Sequence, residues 1–328
     1  MKYAKDTRPK GVANKAAEVL VEALPWIKNI TGKTVVIKYG GSAMVDEQLR
    51  ADVMNDIVLL KIVGVNPVIV HGGGKAITEA MDFLQLPVEF KDGQRVTTPE
   101  AMDLVRTVLM GKVNQELVEA LNEHGNFAVG VSGADAGVIV AEQASPELGR
   151  VGRITRINSP LLDDLVAGDY IPVVASVALG EDGGFYNVNA DMVAGHIAAA
   201  IGAHKVVFLT DVDGLYENFE NKDSLISNLT LFEAQYMVEN NIVSTGMIPK
   251  LKSCIHALDS GVFRAHIING ITPHSLLLEL LTSTGVGTTM HSTEESCTFD
   301  THPLGNFASK LLENRQYAAS ATPNNKIF

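Results

Sequence analysis

Lys38 closes the apolar run "TVVIK" and is followed by the glycine pair Gly40 and Gly41 in "KYGGSAM" (38–44). A second run, "NPVIV", leads into "HGGGKA" (71–76), where Gly73 and Gly74 lie in a row of three glycines. Such loops expose backbone N–H groups with no Cβ in the way, and a helix starting behind them adds its positive end. One glycine pair could simply make a tight turn. Two strand–loop–helix units in tandem favour a concave anion site. "YNVNAD" (186–191) adds Asn187, Asn189 and Asp191. Helix capping by Asn189 or Asp191 is the plainer role there, but it does not account for all three. In "TDVDGLYE" (210–217), Asp211, Asp213 and Gly214 form a turn that could meet a nucleotide's ribose or base. Lys250 ends "STGMIPK" (244–250) in the first turns of a helix, where the macrodipole disfavours a cation. A lysine there calls for an anionic partner, unless it is merely solvated. Two lysines, many backbone donors and an aspartate able to orient both are what phosphoryl transfer needs: positioning and charge neutralisation, with little covalent work by the protein.

Other chemistries find little support. The chain has no G-x-x-x-x-G-K-[ST], G-x-G-x-x-G or G-x-S-x-G, and its nine histidines show no H-E-x-x-H spacing. D-x-D-G alone is weak evidence for a metal pair, so no protein-held metal is expected. Cys254 and Cys297, the two cysteines, have no C-x-x-C spacing, which argues against a disulfide framework or zinc site.

The elements that must position these groups alternate. Runs at 33–38 and 66–70 read as buried strands, each followed by a helix, at 46–64 and 75–86. Residues 99–125 read as one long helix or a helix pair. "FAVGV", "GVIVA", "RITRI" and "YIPVVASVA" then arrive close together, suggesting hairpins inserted on an otherwise parallel sheet. From residue 190 the alternation resumes: helix, the strand "KVVFLT", "LTLFEAQYMVEN", the helix "MIPKLKSCIHALDSG", the strand "RAHIING" and the helix "PHSLLLELLTSTG". The expected fold class is α/β, a three-layer αβα sandwich around a mainly parallel sheet, with two lobes dividing near residue 188. No repeat of fixed period is evident.

Upstream, residues 16–30 place Ala16, Val19, Leu20, Ala23, Leu24 and Ile27 at helical spacing, with Glu18, Glu22 and Lys28 towards the other side. Pro25 is expected to bend or break this helix. Its apolar face could pack on another subunit or on its own domain. Residues 298–328 read as a peripheral tail.

A net charge of −12 argues against nucleic acid and anionic membrane surfaces as general partners, though not against small anions. No run of about 18 uninterrupted apolar residues occurs, and the N-terminus is no secretory signal. A cytoplasmic globular protein is expected.

Taken in order, "VVIKYGG", "VIVHGGG", "GQRVT", "YNVNAD", "FLTDVDGLY" and "STGMIPKL" resemble the N-acetyl-L-glutamate kinases of the amino-acid kinase family, over roughly residues 16–292. The resemblance implies an open αβα sandwich. Residues 1–32 would be an N-terminal extension with an oligomerisation helix. Residues 33–188 would be a lobe for N-acetyl-L-glutamate and 189–297 a lobe for ATP. Lys38 would stabilise the transferring phosphoryl group, Lys250 the charge developing on ADP, and Asp191 would orient both. Gly40, Gly41, Gly73 and Gly74 would donate N–H bonds to phosphate and substrate oxygens. Arg95 would pair with a substrate carboxylate through its planar fork. Asn187 would read the acetamido group or the neighbouring backbone of N-acetyl-L-glutamate, beside Asn189. The nucleotide would be framed by Asp211, Asp213, Gly214 and Leu215, and by Gly246 and Met247. Mg2+ would travel with ATP.

The resemblance further implies an arginine-inhibited homo-hexamer, a trimer of dimers interlaced by the 16–30 helix. Its effector site would include His266, Glu279 and Gly285. A related kinase acting on glutamate, aspartate or carbamate is the nearest alternative; a non-catalytic sensor of arginine or nucleotide is the more distant one.

Overall fold

The computed structural model describes residues 10–292 apart from 45, 92 and 284. The expected 298–328 tail and the first nine residues of the extension lie outside the described residues.

The first half begins with α1 (Lys10–Ile30), β1 (Thr34–Tyr39), α2 (Glu47–Ile62), β2 (Asn66–His71) and α3 (Gly74–Phe83). A short antiparallel pair, β3 (Phe90–Lys91) and β4 (Gln94–Arg95), precedes α4 (Pro99–Val108) and α5 (Gln115–Asn122). These two helices are joined by a π-helical turn, Leu109–Asn114, so the long helical stretch is a pair. Then come β5 (Ala128–Ser132), β6 (Ile139–Gln143), β7 (Gly152–Ile157), α6 (Pro160–Ala167), β8 (Ile171–Ala175), β9 (Val177–Gly180) and β10 (Phe185–Asn187). The second half holds α7 (Ala190–Ala200), β11 (Lys205–Thr210), β12 (Asn228–Thr230), α8 (Leu231–Glu239), α9 (Ile248–Asp259), β13 (Arg264–Asn269), α10 (Ser275–Leu281) and β14 (Thr288–His291).

Eight strands form one sheet in the order β12-β14-β13-β11-β1-β2-β8-β5, with β14 antiparallel to β13. The inserted-hairpin expectation needs dividing. β5 and β8 pair in parallel within this main sheet, whereas β10-β9-β6-β7 form a separate four-stranded sheet. Strands from both sides of residue 188 share the main sheet, joined where β1 pairs with β11.

Two apolar clusters cover its faces. One gathers Ile57 of α2, Ile77 of α3, Val105 of α4, Leu117 of α5 and Leu280 of α10. The other gathers Leu162 of α6, Ile197 of α7, Met237 of α8 and Leu251 of α9. In β1, Val35, Ile37 and Tyr39 belong to the first cluster and Val36 to the second. The period of two therefore turns Lys38 to the face of α7 and α9.

Helix α1 runs on through Pro25, so of the expected bend or break the break does not occur. The missing N–H removes one backbone bond, and the rest of the ladder carries the helix across. Of the two suggested packings, the one on its own domain is seen. Ala23, Trp26, Ile27 and Ile30 pack on the first cluster, while Val19, Leu20, Val21 and Leu24 are 61–70% exposed.

A latch ties α2 to the start of α10: His274 Nδ1 lies 2.7 Å from Asp56 Oδ1. Burial raises the Asp56 carboxyl to about 6 even though His274 opposes the rise. The bond to Asp56 in turn raises His274. Both groups hold protons more tightly folded than unfolded. Their contribution to stability is therefore present at acid pH and lost as pH rises through about 6 for Asp56 and past the ordinary histidine range for His274. Between about pH 5 and about pH 8, the wild-type denaturation midpoint is expected to fall relative to that of Asp56→Asn. Parallel curves for the two proteins would refute the raised carboxyl of Asp56.

Candidate active site

The ends of β1, β2 and β11 and the start of α7 meet at one edge of the main sheet. Asn189 caps α7: its Oδ1 accepts from Asp191 N at 2.8 Å and Met192 N at 3.2 Å. The expected capping role is thus real, and it fixes Asp191 in the first turn. The Asp191 side chain is 9% exposed. Its Oδ1 lies 2.9 Å from Lys38 Nζ and its Oδ2 3.3 Å from Lys250 Nζ. Burial alone would raise this carboxyl, but the two ammonium charges prevail and hold it below the usual carboxylate range. Two lysines from distant parts of the chain therefore converge on one carboxylate, and both keep some exposure.

The helix carrying Lys250 is held close by a contact that is not legible locally. Ser253 Oγ, fully buried on α9, donates to Asp191 O at 2.5 Å. Gly195 makes room for it: a Cβ there would stand 2.2 Å from Ser253 Oγ and 2.6 Å from Ser253 O. At the other lysine, a Cβ on Gly40 would stand 2.8 Å from Lys38 Nζ. Gly41 takes a φ of +75°, which favours glycine.

Gly73 precedes α3 and Gly74 opens it. Arg95 is buried against that helix start. One guanidinium nitrogen, Nη2, donates to Gly74 O at 3.0 Å and to Thr78 Oγ1 at 2.6 Å. Its guanidinium lies over the Phe90 ring, 4.7 Å from the centroid. Among the described residues no carboxylate closes an ion pair with it. Thr97, fully buried, links Arg95 to Asn187. Its hydroxyl donates to Arg95 O at 2.9 Å, and Asn187 Nδ2 approaches that hydroxyl at 3.4 Å. Thr97 lay within the "GQRVT" motif but carried no assigned role; only the meeting of β4 and β10 reveals one.

Around the expected nucleotide turn, Asp213 accepts from Asn269 Nδ2 at 2.8 Å and from the Tyr216 hydroxyl. The Tyr216 bond is the main cause of its lowered pKa. Leu215 N donates to Thr288 Oγ1 at 2.8 Å. A Cβ on Gly214 would stand 2.4 Å from that same hydroxyl, which makes β14 the support of the turn. Asp211 and Gly246 are exposed and Met247 half-buried. Lys222 stacks on Phe219 and Tyr216, at 3.7 and 4.6 Å from the ring centroids.

His266, Glu279 and Gly285 also come together, on the opposite face of the sheet from Lys38, because His266 pairs with Val207 of the first cluster. Glu279 Oε1 meets His266 Nδ1 at 2.7 Å and Thr289 Oγ1 at 2.9 Å. Its Oε2 accepts from Val286 N at 2.7 Å and Gly287 N at 3.2 Å. Burial would raise Glu279, but the bonds from His266, Val286 and Thr289 hold it down at about 2. Burial pushes His266 down to about 4. Gly285, with φ +58°, leaves no Cβ against this carboxylate. Lys205, buried on the same face and lowered by burial to about 8, was hidden from sequence reading inside a strand.

Glycine loops at the carboxyl ends of strands and two lysines on one carboxylate are the parts an α/β phosphotransferase needs. A model of the amino acid kinase family matches residues 33–269. The chain is 51% identical to an acetylglutamate kinase from Caldanaerobacter subterraneus subsp. tengcongensis, over 83% of this chain and 92% of that one. Against the acetylglutamate kinase of Corynebacterium urealyticum it is 48% identical over 84% of this chain and 92% of that one. Among solved structures, an N-acetylglutamate synthase from Neisseria gonorrhoeae matches with TM-score 0.74 at 21% identity, covering 94% of this chain and 72% of that one. A carbamate kinase from Giardia lamblia matches with TM-score 0.61 at 14% identity, over 80% and 99%. These two likenesses concern the fold alone. The chain belongs to the amino acid kinase family and, within it, to the acetylglutamate kinases.

Gly195→Ala is expected to push α9 from α7 and draw Lys250 away from Asp191. Overpacking of this kind costs about 1–3 kcal/mol. The denaturant midpoint and the turnover should fall together; an unchanged pair of values would show that the close approach is dispensable.

Proposed function

We propose that this chain transfers the terminal phosphoryl group of ATP to the side-chain carboxylate of N-acetyl-L-glutamate, giving ADP and N-acetyl-L-glutamyl 5-phosphate in arginine biosynthesis. High identity to acetylglutamate kinases along most of the chain supports the substrate pair. The observation that carries the chemistry is Asp191 holding Lys38 and Lys250 on its two oxygens.

The substrate carboxylate attacks the phosphorus directly, so no phosphorylated side chain is needed. Lys38, beside the glycine loops, neutralises charge on the phosphoryl group in transfer. Lys250 meets the charge that develops on ADP, and Asp191 orients both ammonium groups. Backbone N–H groups at Gly40, Gly41, Gly73 and Gly74 hold oxygens in place. Arg95 takes the substrate's other carboxylate, and Asn187 its acetamido group. The turn from Asp211 to Leu215, with Gly246 and Met247, frames the nucleotide. An ATP-using kinase works with a divalent cation, which we take to be Mg2+. Among the described residues no group of three or more His, Cys, Asp or Glu side chains is placed to hold a metal. The cation would be carried on the nucleotide's phosphates with few protein ligands; when bound, it screens their charge. No helix among the described residues is long and apolar enough to cross a membrane, and we place the reaction in the cytoplasm.

An ADP-release assay is expected to show strong preference for N-acetyl-L-glutamate over free glutamate; equal or reversed preference would favour another member of the family. Lys38→Ala should lower turnover about 10^2-fold or more, as loss of one preorganised charge stabiliser does. Unchanged turnover would remove Lys38 from the mechanism.

A second reading, arginine feedback in a hexamer built as a trimer of dimers, is favoured by α1. Its exposed apolar residues offer a surface to another copy, and its inner side packs on α10, which carries Glu279. Arginine's guanidinium would compete with the four donors that now occupy Glu279, so effector binding would rearrange the 285–289 segment. Deleting residues 1–24 stops short of Trp26 and spares the packed end of α1. The deletion is expected to turn hexamers into dimers and weaken arginine inhibition. Light scattering that still reports a hexamer would overturn the role of α1.

A further inference from the structure

His71 ends β2 in front of the three glycines, and neither its type nor its burial is used by the reaction as described. It is fully buried, and so is Asn114, the last residue of the π-helical turn. Asn114 Nδ2 lies 2.8 Å from Val173 O and 3.0 Å from His71 Nε2. A carbonyl oxygen can only accept, so the atom facing Val173 is the amide nitrogen, and an amide nitrogen only donates. His71 Nε2 must therefore be the acceptor, and the neutral ring keeps its proton on Nδ1. That atom sits 2.9 Å from Gly72 O and donates to it. Burial pushes the ring down to about 4, so it stays neutral around neutral pH.

The consequence lies in the next peptide. In a planar trans peptide the C=O of Gly72 and the N–H of Gly73 point in opposite directions. With the carbonyl held by the ring, the Gly73 N–H is turned away from the core. Gly72 itself lies beside the start of α7: a Cβ on it would stand 3.4 Å from the Ala190 Cβ, one residue before Asp191. The surroundings support the same arrangement. Leu109 and Val113 of the π turn fill the space that a Cβ on Gly73 would need. The absent side chain of Gly130 admits Asn114, whose Oδ1 would be 2.1 Å from a Cβ there. A widened π turn is a common device for aiming one side chain at a functional site.

We infer that Asn114 and His71 are positioning residues for phosphoryl transfer: the buried relay Asn114–His71–Gly72 aims the Gly73 N–H at the reacting anion. This rests on the kinase reading above, and its first test does not depend on activity.

In the full-length protein, 15N NMR of His71 at neutral pH should show the Nδ1–H tautomer, the minor form of a free neutral imidazole. An Nε2–H or doubly protonated ring would overturn the relay. That holds even if the wild type failed to phosphorylate N-acetyl-L-glutamate, which would instead sink the kinase reading. Kinetics give the second test. His71→Leu removes the donor and is expected to lower kcat/KM for N-acetyl-L-glutamate roughly tenfold to a hundredfold, with KM for ATP little changed. His71→Asn, whose Nδ2 can stand near the place of Nδ1, should recover most of the loss. Equal losses in the two variants, or none in His71→Leu, would refute the positioning role. Should His71→Leu fail to fold, Asn114→Asp is read instead. Its carboxylate cannot donate to Nε2, so the ring signature and kcat should change together; a changed ring with unchanged kcat overturns the inference.

Discussion

One buried carboxylate must satisfy two ammonium groups, and the fold around the site is organised to let it. Lys38 and Lys250 without Asp191 would repel each other at short range. Asp191 without them would be a buried charge with no counter-charge, the kind of loss that costs about 3–5 kcal/mol. The three groups come from a strand end, a helix start and a neighbouring helix of the same layer, so none can move without disturbing the others. Ser253 and Gly195 enforce the closeness from behind, one by a hydrogen bond to the backbone of Asp191 and the other by having no side chain.

Strand alternation then separates two chemistries that share one sheet. Lys38 points to the face covered by α7 and α9. Lys205 and His266 point to the face covered by α10, where Glu279 holds its loop. A change around Glu279 can reach Lys38 only through the strands themselves or around the edge of the sheet. The Asp56–His274 bond and the packing of α1 on α10 join that second face to the first half of the chain.

Much of this was legible beforehand because it is local. Glycine runs after β-branched runs signal loops at strand ends, and Asn189 ahead of a small-residue helix signals a cap. A lysine near a helix start signals an absent anion, and Asp191 proved to be that anion. Where local rules left a choice open, longer-range balances settled it. Pro25 does not break α1, because the other backbone bonds and the packing of Trp26, Ile27 and Ile30 carry the helix on. The β-rich middle divides between two sheets, since short apolar strands carry no mark of the partner they will take. Asn114 at the end of the π turn meets Val173 O and His71, residues remote in the chain.

By itself the sequence determined the class of fold, the order of its loops and the list of groups able to handle phosphate. Those follow from backbone freedom at glycine, from hydrophobic period and from charge type. Only the tertiary structure decided how closely Lys38 and Lys250 would meet on Asp191, that Thr97 would link Arg95 to Asn187, and that Glu279 would be satisfied by His266, Thr289 and the backbone at Val286 and Gly287. The physical reason is the same in each case. These outcomes depend on distances between elements far apart in the chain, set by strand register and helix packing. Two side chains become partners only where the packed layers bring them within reach.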